Sequence, residues 1–177
     1  MKIQILSVLL VLATPILADN PAPSPSSDPP MNSKPEKATF TLSPIGRVER
    51  QENRTLIRLE PRYQDGLLGL EQWSHIWVFY WFDGNDTPEK RAVLRVHPRG
   101  NRENPLTGVF ATRSPMRPNL IALSLCRVVS IKNQVIEIES IDAFDNTPVI
   151  DIKPYTAGID APKGSQSTPA WAAGRAK

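Results

Sequence analysis

The octapeptide HIWVFYWF, residues 75–82, is apolar at nearly every position and is bracketed by polar residues. That length suits a single β-strand covered on both faces, and such a strand belongs in the middle of a sheet. Around it apolar residues recur at every second position in TLIRL (55–59), VLRV (93–96) and VIEIESI (135–141). A period of two marks half-buried antiparallel strands. Many short strands, few helices and frequent turns restrict the fold to an all-β barrel or sandwich of mainly antiparallel strands.

The pattern predicts strands over Thr39–Ile45, Thr55–Leu59, Ile76–Phe82, Arg91–Val96, Gly108–Ala111, Asn119–Ile131, Gln134–Asp142 and Val149–Ile152. Lys132 and Asn133 lie between two β-rich runs and suit a tight hairpin. One short helix is expected within Tyr63–His75, where Leu67, Leu70 and Trp73 fall at helical spacing. The tail after Tyr155 is small and polar and reads as a loose end over 157–177.

Ahead of the strands lie two segments of different composition. MKIQILSVLLVLATPILA carries Lys2, an apolar run and a small residue at Ala18, the plan of a secretory signal peptide over residues 1–18. Thr14 and Pro15 interrupt the run, which is short for a bilayer span. Residues 19–38 are rich in Pro, Ser and Asn and read as an extended linker, because they cannot bury enough apolar surface to offset their ordering entropy. These features predict a secreted or periplasmic location, with no stable membrane span after cleavage, and a cytoplasmic one if the leader does not function. The barrel domain is expected over 39–156.

Composition removes several chemistries. Cys126 is the only cysteine, so no intramolecular disulfide forms, and its apolar strand context predicts a buried, inert thiol. His75 and His97 are the only histidines and lack metal-ligand spacing, so no metal is expected. Neither a Rossmann glycine fingerprint nor a P-loop is present, and Ser114 and Ser124 lack a nucleophile-elbow context.

A net charge of +3 says little about partners, but its distribution says more. Between residues 90 and 117 stand Lys90, Arg91, Arg95, Arg99, Arg102, Arg113 and Arg117 against one acid, Glu103. The segment suits phosphate or another anion; alternatively it is a solvated face balanced by acids elsewhere. Within it, Pro115 and Pro118 stiffen the loop that carries Arg113 and Arg117. Either arginine suits a carboxylate or phosphate, or an internal acid such as Asp145 or Asp151. A second polar cluster follows at Asp145, Asn146, Thr147 and Pro148, a turn whose side-chain oxygens can cap backbone or hold a ligand. Asp151 and Lys153 share one side of an extended segment, and Tyr155 offers a hydroxyl.

Four blocks, SPIGRVER, GLEQWSHIWVFYWF, GVFATRSPMRPNLIALS and DNTPVIDIKPY, resemble in order the signature blocks of the TsaA-like, or TrmO, family. The resemblance covers about Ser43 to Tyr155. It implies a small β-barrel that binds S-adenosylmethionine without a Rossmann fold, works as a homodimer, and methylates tRNA at the exocyclic amine of the threonylcarbamoyl-modified adenosine beside the anticodon. Carried over by position, the cofactor contacts fall on Asp83, Gly84, Arg113, Leu123, Phe144, Asp145, Asn146 and Thr147. Arg117 and Lys153 are placed toward the substrate. Asp145 and Tyr155 are the candidates for a general base, because methyl transfer is an in-line displacement that gains from alignment and proton removal. An exported binding or interaction module that has lost or redirected tRNA methylation is the alternative.

The sequence departs from the family pattern in four places. The loop between the first two strands is short and lacks the family's PRQPG, Asp83 stands for His, Ala122 for Gly, and Asn146 for the Gly of DGTP. All are expected beside the cofactor pocket.

Overall fold

The computed structural model describes residues 38–173, and the leader and nearly all of the linker lie outside the described residues. From Phe40 onward the described residues form one compact unit.

Six strands close into an antiparallel barrel in the order β1 (Gly46–Gln51), β2 (Arg54–Leu59), β7 (Val135–Ile138), β6 (Ile121–Lys132), β3 (His75–Trp81) and β8 (Pro148–Pro154). Two further strands, β4 (Arg95–Val96) and β5 (Thr107–Gly108), make a separate small hairpin. The all-β barrel expected from the sequence is the architecture found.

Alternation builds the interior. Val48 of β1, Ile57 and Leu59 of β2, Ile76, Val78 and Tyr80 of β3, Ala122 and Cys126 of β6, Ile136 and Ile138 of β7, and Val149 of β8 all point inward and are buried. Each large aliphatic side chain so enclosed contributes on the order of 1.5–3 kcal/mol. Cys126 is among them, and burial pushes its thiol up to about 12. β3 pairs with β6 on one side and β8 on the other, as every strand of a closed barrel has two neighbours. It is therefore not a central strand covered on both faces: Ile76, Val78 and Tyr80 are buried inside, and Trp77, Phe79 and Trp81 are partly exposed outside.

The sequence expectations differ from the structure at several boundaries. Residues 40–45 form no strand; the first strand is Gly46–Gln51, read from sequence as loop. Its inward positions are Gly46 and Val48, so only one aliphatic side chain announces the period. Gly46 is required by a close approach: a Cβ there would collide with the Arg58 carbonyl oxygen. It pairs with Leu59 on one side and Val149 on the other, which makes it the residue where β1 closes the barrel.

The stretch expected as a strand over Arg91–Val96 opens instead with a helical turn at Pro88–Arg91. The Thr87 hydroxyl caps it by accepting the Lys90 N–H at 3.3 Å. The helix expected within Tyr63–His75 is two 3₁₀ segments, Pro61–Leu67 and Leu70–Gln72, separated at Gly69 with φ 85°. Beyond Tyr155 the chain makes single helical turns at Ala157–Asp160 and Ala170–Ala173.

Candidate functional site

The antiparallel order brings the end of β3 and the starts of β6 and β8 to the same end of the barrel. The Phe82 N–H donates to the Leu120 carbonyl at 2.9 Å, which joins the chain leaving β3 to the chain entering β6. Asp83 and Gly84 therefore leave β3 next to the point where the chain enters β6. On the β8 side the turn Phe144–Thr147 arrives at the same end.

That turn is held by β1. The Arg50 guanidinium donates to the Ala143 carbonyl at 2.7 Å and the Ile141 carbonyl at 2.8 Å, while the Arg50 N–H donates to Asp145 Oδ1 at 2.9 Å. Arg47 donates to the Asn146 carbonyl at 3.1 Å, and the Val48 and Asn146 backbones complete the seam. Asn146 has φ 64°. Asparagine is one of the few side chains that tolerate this left-handed backbone, which explains how it replaces the glycine of the family pattern. Thr147 is buried. The N–H groups of Phe144 and Asp145 meet no protein acceptor, and the Phe144 ring is exposed.

Arg113 is exposed and makes neither an ion pair nor a hydrogen bond. The internal partners weighed from sequence are engaged elsewhere: Asp145 accepts from the Arg50 backbone, and Asp151 pairs with Lys153 at 2.7 Å. Tyr80 is bonded to the segment that leads into the turn. Its buried hydroxyl donates to the Asp142 carbonyl at 2.7 Å and lies 3.2 Å from Ser124 Oγ. Burial raises its pKa above the ordinary value, and the charges of Asp142 and Arg113 both reach it. An unpaired guanidinium on the segment entering β6 and a turn with free backbone donors entering β8 are each groups suited to a small anionic ligand.

The remaining candidates separate. Leu123 lies two residues into β6 on the outer face, opposite Phe79. Arg117 is spent on its own loop, donating to the Val109 carbonyl at 3.1 Å. Lys153 and Tyr155 lie at the far end of β8, where Tyr155 packs edge-on against His75 and Trp77. Within one protomer the structure does not bring Tyr155 or Lys153 to the Arg113 end. Ala122 points into the barrel opposite Tyr80, so this departure from the family pattern falls in the core rather than on a pocket wall.

Sequence reasoning missed Arg47 and Arg50. Their signal is present in GRVERQ, but it has meaning only once β1 is known to run beside a turn almost a hundred residues away. It also missed the clasp after β3. Asp86 accepts from Trp81 Nε1 at 3.0 Å and from Arg91 at 2.9 Å, and both hydrogen bonds hold its carboxyl below the usual carboxylate range. Arg91 lies over the Trp81 ring, and Lys90 donates to the Gly84 carbonyl at 2.8 Å, which fixes the segment bearing Asp83 and Gly84. A cleft of about 470 Å³ opens beside this clasp, lined by Phe40, Leu42, Trp81, Asp86, Arg91 and Ile150 among others.

One outer surface is strongly apolar. Trp77, Phe79 and Trp81 of β3 stand in register with Leu125, Leu123 and Ile121 of β6, and these three β6 side chains are 36–44 % exposed. Among the described residues no group of three or more His, Cys, Asp or Glu could hold a metal, and no helix is long and apolar enough to cross a membrane.

Fold and site together define a small closed antiparallel barrel with an anion-suited end and no nucleotide-binding βαβ unit. The chain belongs to the family described as the tRNA-methyltransferase O N-terminal domain, which it matches over residues 35–161. It is 47 % identical over 124 residues to a probable S-adenosyl-L-methionine-binding protein of Methanocaldococcus jannaschii, covering 70 % of this chain and 98 % of that one. A protein of the same description from Pyrococcus horikoshii is 45 % identical over 130 residues, covering 73 % and 93 %. The human tRNA (adenine(37)-N6)-methyltransferase is 39 % identical over 115 residues, which cover 63 % of this chain and 25 % of the human protein. The crystal structure of TrmO from Pseudomonas aeruginosa superimposes with a TM-score of 0.58 at 31 % identity, covering 75 % of this chain and 62 % of that one. The chain thus spans less than two thirds of this TrmO structure and about a quarter of the human enzyme.

Proposed function

We propose that the chain binds S-adenosylmethionine at the Arg113 end of the barrel and transfers its methyl group to an exocyclic adenine amine of tRNA, the acceptor being the threonylcarbamoyl-modified adenosine. One observation carries the reading: Arg113, a guanidinium without a protein partner, stands on the segment that enters β6 at the barrel end where the Arg50-held turn Phe144–Thr147 enters β8, in a chain of this family.

When bound, the cofactor supplies a methyl group on a sulfonium centre. Arg113 clamps its carboxylate, and the backbone donors and rings of the turn, with Asp83 and Gly84 opposite, frame the remainder. The residues then hold the acceptor amine in line with the methyl carbon. With the cofactor held there, the amine lone pair would take the methyl group as the C–S electrons return to sulfur, and the surplus proton would leave the nitrogen for a base. Alignment supplies most of the acceleration. Asp145 is the base assigned within one protomer, one of its oxygens being oriented by the Arg50 N–H.

The apolar face of β3 and β6 pairs two copies in this reading, because a surface of three aromatic and three aliphatic side chains in register gains most from mutual burial. Leu123 then lies at the seam between protomers, and Tyr155, packed on Trp77, borders it.

Titration calorimetry of the full chain with S-adenosylmethionine tests the first step, and methyl incorporation into tRNA tests the second. Arg113→Ala is expected to weaken cofactor binding about ten- to a hundred-fold, the loss typical of a charge-assisted hydrogen bond. No heat at millimolar cofactor would sink the reading.

A second reading, an exported module with methylation lost or redirected, is favoured by the leader-like residues 1–18 and the linker behind them. Fractionation of a tagged full chain separates the two: an uncleaved cytosolic product removes it.

A further inference from the structure

The cations of the basic segment fall into two sets. Arg91 is paired with Asp86, Lys90 is used on the Gly84 carbonyl, and Arg117 is used on the Val109 carbonyl. Arg95, Arg99 and Arg102 are exposed and take part in no hydrogen bond or ion pair. The single acid of the segment, Glu103, is turned onto Asn101, which donates to it at 3.3 Å.

The three arginines stand on an ordered scaffold. Arg95 pairs across β4–β5 with Gly108, whose missing side chain leaves that rung open. The connecting loop is tied by His97 Nδ1 to the Asn104 carbonyl at 2.8 Å and by the Asn104 side chain to the Pro98 carbonyl at 2.8 Å. Two residues beyond Gly108, the Phe110 ring is 80 % exposed and makes no contact with another ring or cation.

We propose that this hairpin is a docking surface for a single-stranded loop of RNA, with Arg95, Arg99 and Arg102 on phosphates and Phe110 beneath one unstacked base. The proposal rests on the tRNA reading above, and it names a surface separate from the Arg113 end. Unpaired guanidinium groups on a projecting hairpin track a phosphate backbone. A solvent-facing aromatic ring two residues past the Arg95–Gly108 rung offers a stacking platform that a duplex, with its bases already stacked, cannot use. Three unpaired guanidinium groups against the one carboxylate of Glu103 leave the hairpin net positive, which favours a polyanion over a protein surface of mixed charge.

The test measures binding of the full chain to a hairpin RNA with a single-stranded loop, and to a blunt duplex of the same stem, across a salt series. The wild-type chain is expected to prefer the looped RNA. R95A/R99A/R102A should lower the slope of log affinity against log salt by about two, at roughly 0.7 per phosphate contact on a single strand. Phe110→Ala should weaken the looped RNA about ten-fold and leave the duplex unchanged, and Phe110→Trp should restore it. All four positions are at the surface, so melting temperatures report whether each variant remains folded.

An unchanged slope and affinity in the triple variant overturns the proposal, as does a Phe110→Ala chain that binds RNA normally but changes its monomer–dimer equilibrium by sedimentation. Failure is separable from that of the methyltransferase reading. A chain that methylates tRNA while the hairpin variants bind RNA normally removes only the hairpin. A chain that gives no heat with S-adenosylmethionine, yet loses looped-RNA binding in these variants, removes only the methyltransferase.

Discussion

Two excursions leave the barrel and return to it, and they are built in opposite ways. The first, residues 60–74 between β2 and β3, folds back on the wall: Leu67 is buried in the core cluster, Leu70 packs against it, and a cleft of about 590 Å³ remains between the segment and Ile45, Leu59 and Ile152. The second, residues 82–120 between β3 and β6, buries Val109, Pro98 and Leu120 but leaves Arg95, Arg99, Arg102, Phe110 and Arg113 exposed. Its scaffold is a set of side-chain-to-backbone hydrogen bonds. The contrast teaches that closure of the barrel depends on apolar packing, whereas presentation of charge depends on polar ties that leave the guanidinium groups unspent.

Breaking that contrast is straightforward to attempt, and the largest effect is expected on the first excursion. Leu67→Ala should cost about 2–5 kcal/mol of stability in urea unfolding, because it opens a cavity under the barrel wall. Phe110→Ala on the second excursion should stay within about 0.5 kcal/mol of the parent in the same experiment. Equal losses would remove the distinction.

Between these extremes lies Arg50, which belongs to neither excursion but holds the turn that faces the second. Arg50→Ala should cost about 1–2 kcal/mol of stability through three lost backbone contacts and should also weaken S-adenosylmethionine binding in calorimetry. At Asn146, with φ 64°, replacement by Ala is expected to cost about 1–2 kcal/mol while replacement by Gly is close to neutral. Loss of equal size for both would point to the asparagine side chain rather than its backbone.

The last effect is confined to alkaline pH. The Cys126 thiol is pushed by burial from 9.0 to about 12. The unfolded chain therefore releases this proton first, so stability should fall as pH rises from about 9 toward 12 and be unaffected by this group below that window. A denaturation midpoint that is flat across this range in Cys126→Ser but declines in the parent isolates the contribution. At neutral pH the thiol should react with a disulfide reagent only after unfolding.

Much of the fold was legible because packing writes itself into the period of the sequence. β2, β3, β6 and β8 carry aliphatic or aromatic residues at alternate positions, and their expected and observed ranges overlap closely. β1 was not legible. Its inward positions hold a glycine and one valine, and the glycine is there because the neighbouring strand's backbone is too near for a Cβ. The site was legible in part: the residues of the Phe144–Thr147 turn and Arg113 could be named by resemblance, but not their supports. Arg50 reaches Ala143 across 93 residues of chain, a distance over which local composition carries no signal.

By itself the sequence determined the all-β class, the strand at HIWVFYWF, the inert cysteine and the family, because each follows from residue periodicity or from contiguous motif blocks. Only the tertiary structure decided which of seven clustered cations are spent and which are free, that Ala122 faces the core, and that Tyr155 and Lys153 stand at the far end of β8 from Arg113. Those outcomes depend on which strand ends meet when the barrel closes, and ring closure is a property of all six strands together.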